Sequence, residues 1–239
     1  MNTIKFKKRK ALAVAHRGLS GIEAENTNSA FVAAGNRSYY GIETDIHRTA
    51  DGKFVVNHDG NLKRVGGEEI EVEKTDLKDL QAVVLFDKDG TKGREDLRPC
   101  TLENYISICK KYEKHCVLEL KSEFTDEETE AFIDIIKKQD YLDHVTFISF
   151  VYEDLVKIRK ILPNQPVQYL FFEFTDEVKE RLARDRFDVD VYYKSLTKEI
   201  VKALHKFGLV VNCWTVDDKE VAEELTKWGV DYVTTNILE

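Results

Sequence analysis

The stretch VVNCWTVDDKEVAEELTKWGVDYVTTN, residues 210–236, reads as one complete structural unit. β-Branched and aromatic residues crowd its two ends, and between them Val221, Ala222, Leu225 and Trp228 recur at the spacing of a helix with one apolar face. Strand, helix, strand is the expectation here, and it repeats outward along the chain. Candidate strands fall at 12–16, 41–47, 116–121, 145–150, 167–171, 189–194, 210–216 and 232–236. Helical patterns fall between them at 27–37, 101–112, 126–138, 153–161, 176–186, 198–206 and 218–227. Thr101 followed by Glu103, and Thr125 followed by Glu127 and Glu128, mark two helix starts, because a hydroxyl can cap the free N–H groups and carboxylates favour the positive end of the dipole.

Strands that alternate with helices of this length pair in parallel, since each helix returns the chain to the same end of the sheet. Eight such units predict an α/β fold of the closed TIM (β/α)8 type. The alternative, an open doubly wound sheet, would advertise a glycine-rich phosphate loop after its first strand, whereas the first strand here runs into His16, Arg17 and Gly18. The rhythm breaks only at about 59–100, where Gly66-Gly67, an acidic patch and glycines 90 and 93 interrupt it. Residues 1–239 are therefore expected to form a single barrel domain with a small insertion after the second strand, at the rim.

With 42% hydrophobic and 33% charged residues, 12 Gly and 3 Pro, the chain has the composition of a globular protein rather than a disordered or collagen-like one. No unbroken apolar run exceeds five residues, against the ~20 a membrane-spanning helix needs, so no integral membrane segment is expected. A formal charge of −8 argues against nucleic acid as a partner. The basic run at Lys5, Lys7, Lys8, Arg9 and Lys10 is too weakly followed by apolar sequence to start a leader, and reads as a solvated turn. Cys100, Cys109, Cys116 and Cys213 show no metal or redox spacing and read as reduced core thiols of a cytoplasmic protein. The oligomeric state stays open.

In such a barrel the chemistry projects from the carboxyl ends of the strands. His16 and Arg17 end the first, Glu43 and Asp45 lie on the second, a short extended run at 54–57 delivers His58 and Asp59, and Glu119 and Lys121 lie on the third. Residues two apart share one face of a strand, so each pair points into the barrel mouth. Three converging carboxylates with no arginine among them would repel strongly. One divalent cation resolves this, and oxygen-only ligands suit Mg2+ or Ca2+ better than zinc. The plainer alternative is a salt bridge from Glu43 or Glu119 to Lys121. His16 and His58 are suited to proton transfer, and Arg17 and Lys121 to holding an anion, which together describe phosphoryl transfer. His47 is undecided, and His115, His144 and His205 are assigned no role.

The run HRG at 16–18, ENT at 25–27, IETDIHRTADGKFVVNHDGNLKR at 42–64, LELK at 118–121, ISF at 148–150 and CWTV at 213–216 resembles the glycerophosphodiester phosphodiesterase family in order and spacing. That resemblance implies a TIM barrel hydrolysing small-molecule glycerophosphodiesters to glycerol 3-phosphate and an alcohol. It implies His16 and His58 as the acid/base pair, Glu43, Asp45 and Glu119 as metal ligands, Arg17 and Lys121 on the phosphate, and Trp214 against the glycerol. Ala24 stands where the family commonly has Pro, and Asp217 and Asn236 stand where Asn and Asp are expected. Alternatives on the same barrel are a lysophospholipase D, a phosphoinositide-type phospholipase, or a catalytically silent phosphodiester-binding protein. The insertion is expected to be a loosely held lid that controls substrate choice through its apolar run at 83–86.

Overall fold

The computed structural model describes residues 2–239. Eight parallel strands close into a barrel: β1 (Leu12–Ala15), β2 (Gly41–Arg48), β5 (His115–Leu120), β6 (Val145–Ser149), β7 (Val167–Phe171), β8 (Asp188–Tyr192), β9 (Val211–Trp214) and β10 (Tyr232–Thr235), with β1 pairing both β2 and β10. Of two further short strands, β3 (Phe54–Val56) pairs antiparallel with the upper half of β2, and β4 (Cys100–Thr101) pairs antiparallel with β3. Around the barrel pack α1 (Asn28–Gly35), α4 (Leu102–Lys111), α5 (Asp126–Lys138), α6 (Tyr152–Ile161), α7 (Asp176–Asp185), α8 (Lys198–Lys206) and α9 (Lys219–Trp228), while α2 (Lys63–Gly66) and α3 (Leu77–Ala82) lie in the insertion. The expected TIM barrel is present. The caps are where the sequence placed them: Thr101 accepts from the Asn104 N–H, and Thr125 forms a reciprocal capping box with Glu128.

Alternation along the strands sorts side chains between two cores. Ile42 and Ile46 of β2 join the large layer between barrel and helices, leaving Glu43 and Asp45 to face inward. Val14, Val117, Ile148 and Leu170 fill the barrel axis, with Trp214 and Tyr232 against them. Several strands stop short of the spans expected from hydrophobicity. β1 ends at Ala15 because Arg17 and Gly18 turn at φ 53° and 76°. Gly18 is needed there, since a Cβ would lie 2.7 Å from the Ala30 carbonyl carbon. Likewise β8 ends at Tyr192, where Tyr193–Ser195 wind into a 3-10 turn.

The segment at 59–100 is not the loose loop expected. Leu62, Val72, Leu80, Val83, Leu85 and Leu97 form a buried cluster of its own, joined by Ala24 and Val55. Val83 and Leu85 are thus core residues, although Leu85 also borders, with Phe86, Asp87 and Lys88, a groove shared with Glu25 and Arg64. Val83→Ser or Leu85→Ser should therefore destabilise the protein by about 2 kcal/mol, whereas Phe86→Ala should leave the melting temperature nearly unchanged and alter KM. Thermal unfolding beside steady-state kinetics separates the two; an unchanged melting temperature for Leu85→Ser would refute this division.

Candidate active site

His16, Arg17, Glu43, His58, Glu119 and Trp214 line one pocket at the carboxyl ends of the strands, together with Ile148, Phe150, Leu170, Asp190, Thr215 and Thr234. Glu43, Asp45 and Glu119 are buried, and one oxygen from each lies within 4.8 Å of the others. The register explains the convergence: Asp45 pairs with Glu119 across neighbouring parallel strands, and Glu43 stands one pleat below.

The expectation that no arginine compensates these carboxylates is corrected by the geometry. Arg17 Nε lies 3.6 Å from Asp45 Oδ2, and its backbone N–H donates to Glu43 Oε2 at 2.8 Å. Lys121 Nζ donates to Glu119 at 2.8 Å and lies 3.8 Å from Asp45, so the plainer salt-bridge reading is also partly realised. Two cations against three carboxylates leave the cluster one charge short of neutral. Burial and the neighbouring Asp45 and Glu119 charges raise the Glu43 carboxyl, and burial with Asp45 pushes Glu119 up to about 8. Burial would also raise Asp45, but Arg17 and Lys121 outweigh it and hold the group low. A buried, all-oxygen set that remains one positive charge short fits a hard divalent cation.

Both imidazoles are held through Nδ1. Asp217 can only accept, so its 2.6 Å contact from Asn236 Nδ2 orients that amide. Asn236 Oδ1 then faces His16 Nδ1 at 2.8 Å and also accepts from Ser20 Oγ at 2.6 Å. His16 must donate from Nδ1, which leaves Nε2 to carry the lone pair in the neutral ring. Burial, then Arg17, lowers its pKa to about 4. Asp217 and Asn236, the two departures at the far rim, thus form the support beneath His16. His58 Nδ1 lies 2.7 Å from Asp59 Oδ1. Burial alone would raise Asp59, yet the Arg64 and His58 hydrogen bonds bring it to about 2.

Three further residues belong to this constellation: Asn26 and Glu25 lie in a turn outside any strand period, within the ENT run, and His47 follows Glu43 and Asp45 at the same parity on β2. Asn26, at φ 56°, donates to Asp45 Oδ2 at 2.8 Å and accepts from Thr44 Oγ1 at 2.8 Å. Glu25 accepts from Arg17 at 2.9 Å and from both Arg64 terminal nitrogens. His47, undecided from sequence, lies with Nε2 3.3 Å from the His58 carbonyl and so steadies that loop. His115, His144 and His205 lie elsewhere, against Thr146, Tyr141 and Asp231.

The family model for the glycerophosphoryl diester phosphodiesterase family matches residues 16–239. The chain belongs to that family. It is 29% identical over 230 residues to the glycerophosphodiester phosphodiesterase of Caldanaerobacter subterraneus subsp. tengcongensis, covering 95% of this chain and 94% of that one. A Bacillus subtilis protein of the same name is 29% identical over 244 residues, with coverage of 94% and 83%. Among solved structures, an Oleispira antarctica phosphodiesterase in complex with the product sn-glycerol-3-phosphate superposes with a TM-score of 0.83 at 26% identity, covering 94% of this chain and 92% of that one. Of the residues expected at the site, His16, Arg17, Glu43, His58, Glu119 and Trp214 line the pocket, while Asp45 and Lys121 sit against Glu119 beside it.

Proposed function

We propose that this protein is a metal-dependent glycerophosphodiester phosphodiesterase, releasing glycerol 3-phosphate and an alcohol. The observation that carries the reading is the convergence, around one pocket, of two imidazoles held through Nδ1 with a buried three-carboxylate cluster that Arg17 and Lys121 contact. Glu43, Asp45 and Glu119 would hold one Mg2+ or Ca2+, which when bound supplies charge stabilisation at the phosphoryl oxygens. Arg17 and Lys121 add positive charge on the same side and orient the phosphate. One imidazole takes the proton of the glycerol 2-hydroxyl as its oxygen bonds to phosphorus, and the other gives a proton to the departing alcohol as the P–O bond breaks. Water then opens the cyclic phosphate with the two roles exchanged. Trp214 offers an indole face to the carbon skeleton, its own N–H being spent on the Asp190 carbonyl at 3.1 Å. The chain is read as one catalytic domain, the insertion supplying Phe86 and Lys88 to the grooves beside the site.

A second reading, action on lysophospholipids, is favoured by one observation. Phe150 and Phe172 stack at 5.3 Å, both edge-on to Trp214, and remain 37% and 55% exposed at the mouth. That apolar collar comes from the ends of β6 and β7 and not from the insertion. A coupled assay of glycerol 3-phosphate release from glycerophosphocholine, glycerophosphoethanolamine and glycerophosphoinositol, beside choline release from lysophosphatidylcholine, decides between them. Release of glycerol 3-phosphate at the higher kcat/KM is expected; its absence from every glycerophosphodiester would overturn the proposal.

A further inference from the structure

The polar side chains inside the barrel mostly satisfy one another. Asn212 donates to Gln168 Oε1 at 3.1 Å and accepts from Thr234 Oγ1 at 3.1 Å. Asp190, beside Asn212 in the register, differs: it is 1% exposed and its Oδ1 has no hydrogen-bond donor in the protein. A buried acceptor left unpaired keeps the full cost of its lost hydration, so it calls for a partner. Asp190 is also part of the pocket lining. In the closed ring of eight strands β8 stands four places from β2, opposite the strand that carries Glu43 and Asp45. Between these poles the wall is apolar, made by Ile148, Leu170, Phe150 and Trp214. Asp190 is not among the oxygens that converge as a possible metal cluster among the described residues. An anion site on one side, an apolar wall, and a lone acceptor opposite match a phosphorylated carbon skeleton bearing a hydroxyl.

We propose that Asp190 is a specificity-determining residue whose Oδ1 accepts a hydrogen bond from a hydroxyl of the substrate's polyol half. The inference rests on the phosphodiesterase reading and names the feature of the substrate selected. A site built around a hydroxyl rejects the analogue lacking it, because its own polar group is then stranded. Leucine at this position would fill similar space without stranding anything, so the variant should bind less selectively without being less stable.

The test is titration calorimetry with Mg2+ present, using sn-glycerol 3-phosphate, propane-1,2-diol 1-phosphate and 3-hydroxypropyl phosphate as probes. The native protein should bind the first about tenfold more tightly than at least one of the deoxy analogues, the scale of one well-placed hydrogen bond. Asp190→Leu and Asp190→Ala should bind all three within about twofold, and Asp190→Leu should melt no lower than the native protein. Equal binding of the three probes by the native protein would overturn the proposal even if neither variant folded. Selectivity retained in a folded variant would overturn it as well. Glycerol 3-phosphate release by the native protein, measured alongside, keeps the two readings apart: with release intact and selectivity absent only the role of Asp190 falls, and with no release from any glycerophosphodiester the underlying function falls too.

Discussion

His16→Ala and His58→Ala should each lower turnover by about a hundredfold or more, the usual loss when a positioned general acid or base is removed. The expectation follows from how the rings are fixed. His16 is oriented by Asn236, itself oriented by Asp217, and His58 by Asp59, itself held by Arg64. Neither Nδ1 is free for other work, so the loss should appear in kcat. Both variants should keep a near-native melting temperature, since the two side chains border a pocket and anchor no core cluster. His144→Ala, stacked on Tyr141 at 4.6 Å and remote from the pocket, is the control and should turn over normally. A near-native rate in either pocket variant, with folding intact, would remove that histidine from the reaction.

Exhaustive chelation should abolish turnover, and Mg2+ or Ca2+ should restore it better than Cu2+, whose preference is for nitrogen ligands. The charge arrangement makes this the second large effect. Arg17 and Lys121 answer only two of the three buried carboxylates, and in the proposed reaction both would be drawn on by the phosphate as well. Glu43→Gln removes one charge and one ligand together while preserving shape, so metal affinity should fall by an order of magnitude or more, the scale on which altering groups at a metal site acts. Calorimetric titration of the metal into the chelated protein reads this directly, without a substrate. Full activity after chelation, or unchanged metal affinity in Glu43→Gln, would show that the cluster serves only as a salt-bridged anchor.

Much of this protein can be read without coordinates because its signals are local. The eight strands and the helices between them announce themselves through alternation and 3.6-residue periodicity. The residues at strand ends follow, since parity alone sends Glu43 with Asp45, and Glu119 with Lys121, to one face. Thr125 could be named as a cap because its box closes within a single turn. What escaped depends on contacts between distant segments. The insertion looked like a loop because its apolar residues have no shared period, yet Leu62, Val72, Leu80 and Leu97 find one another in three dimensions. Asn26 and Glu25 lie in a turn, and only the fold brings them to Asp45 and Arg17. That Arg17 compensates the carboxylates, that Asp217 reaches His16 through Asn236, and that Asp190 faces the pocket unpaired were decided by closure of the barrel. Periodicity records which face a side chain takes; which partner it meets there is set by long-range packing, where strands far apart in sequence become neighbours.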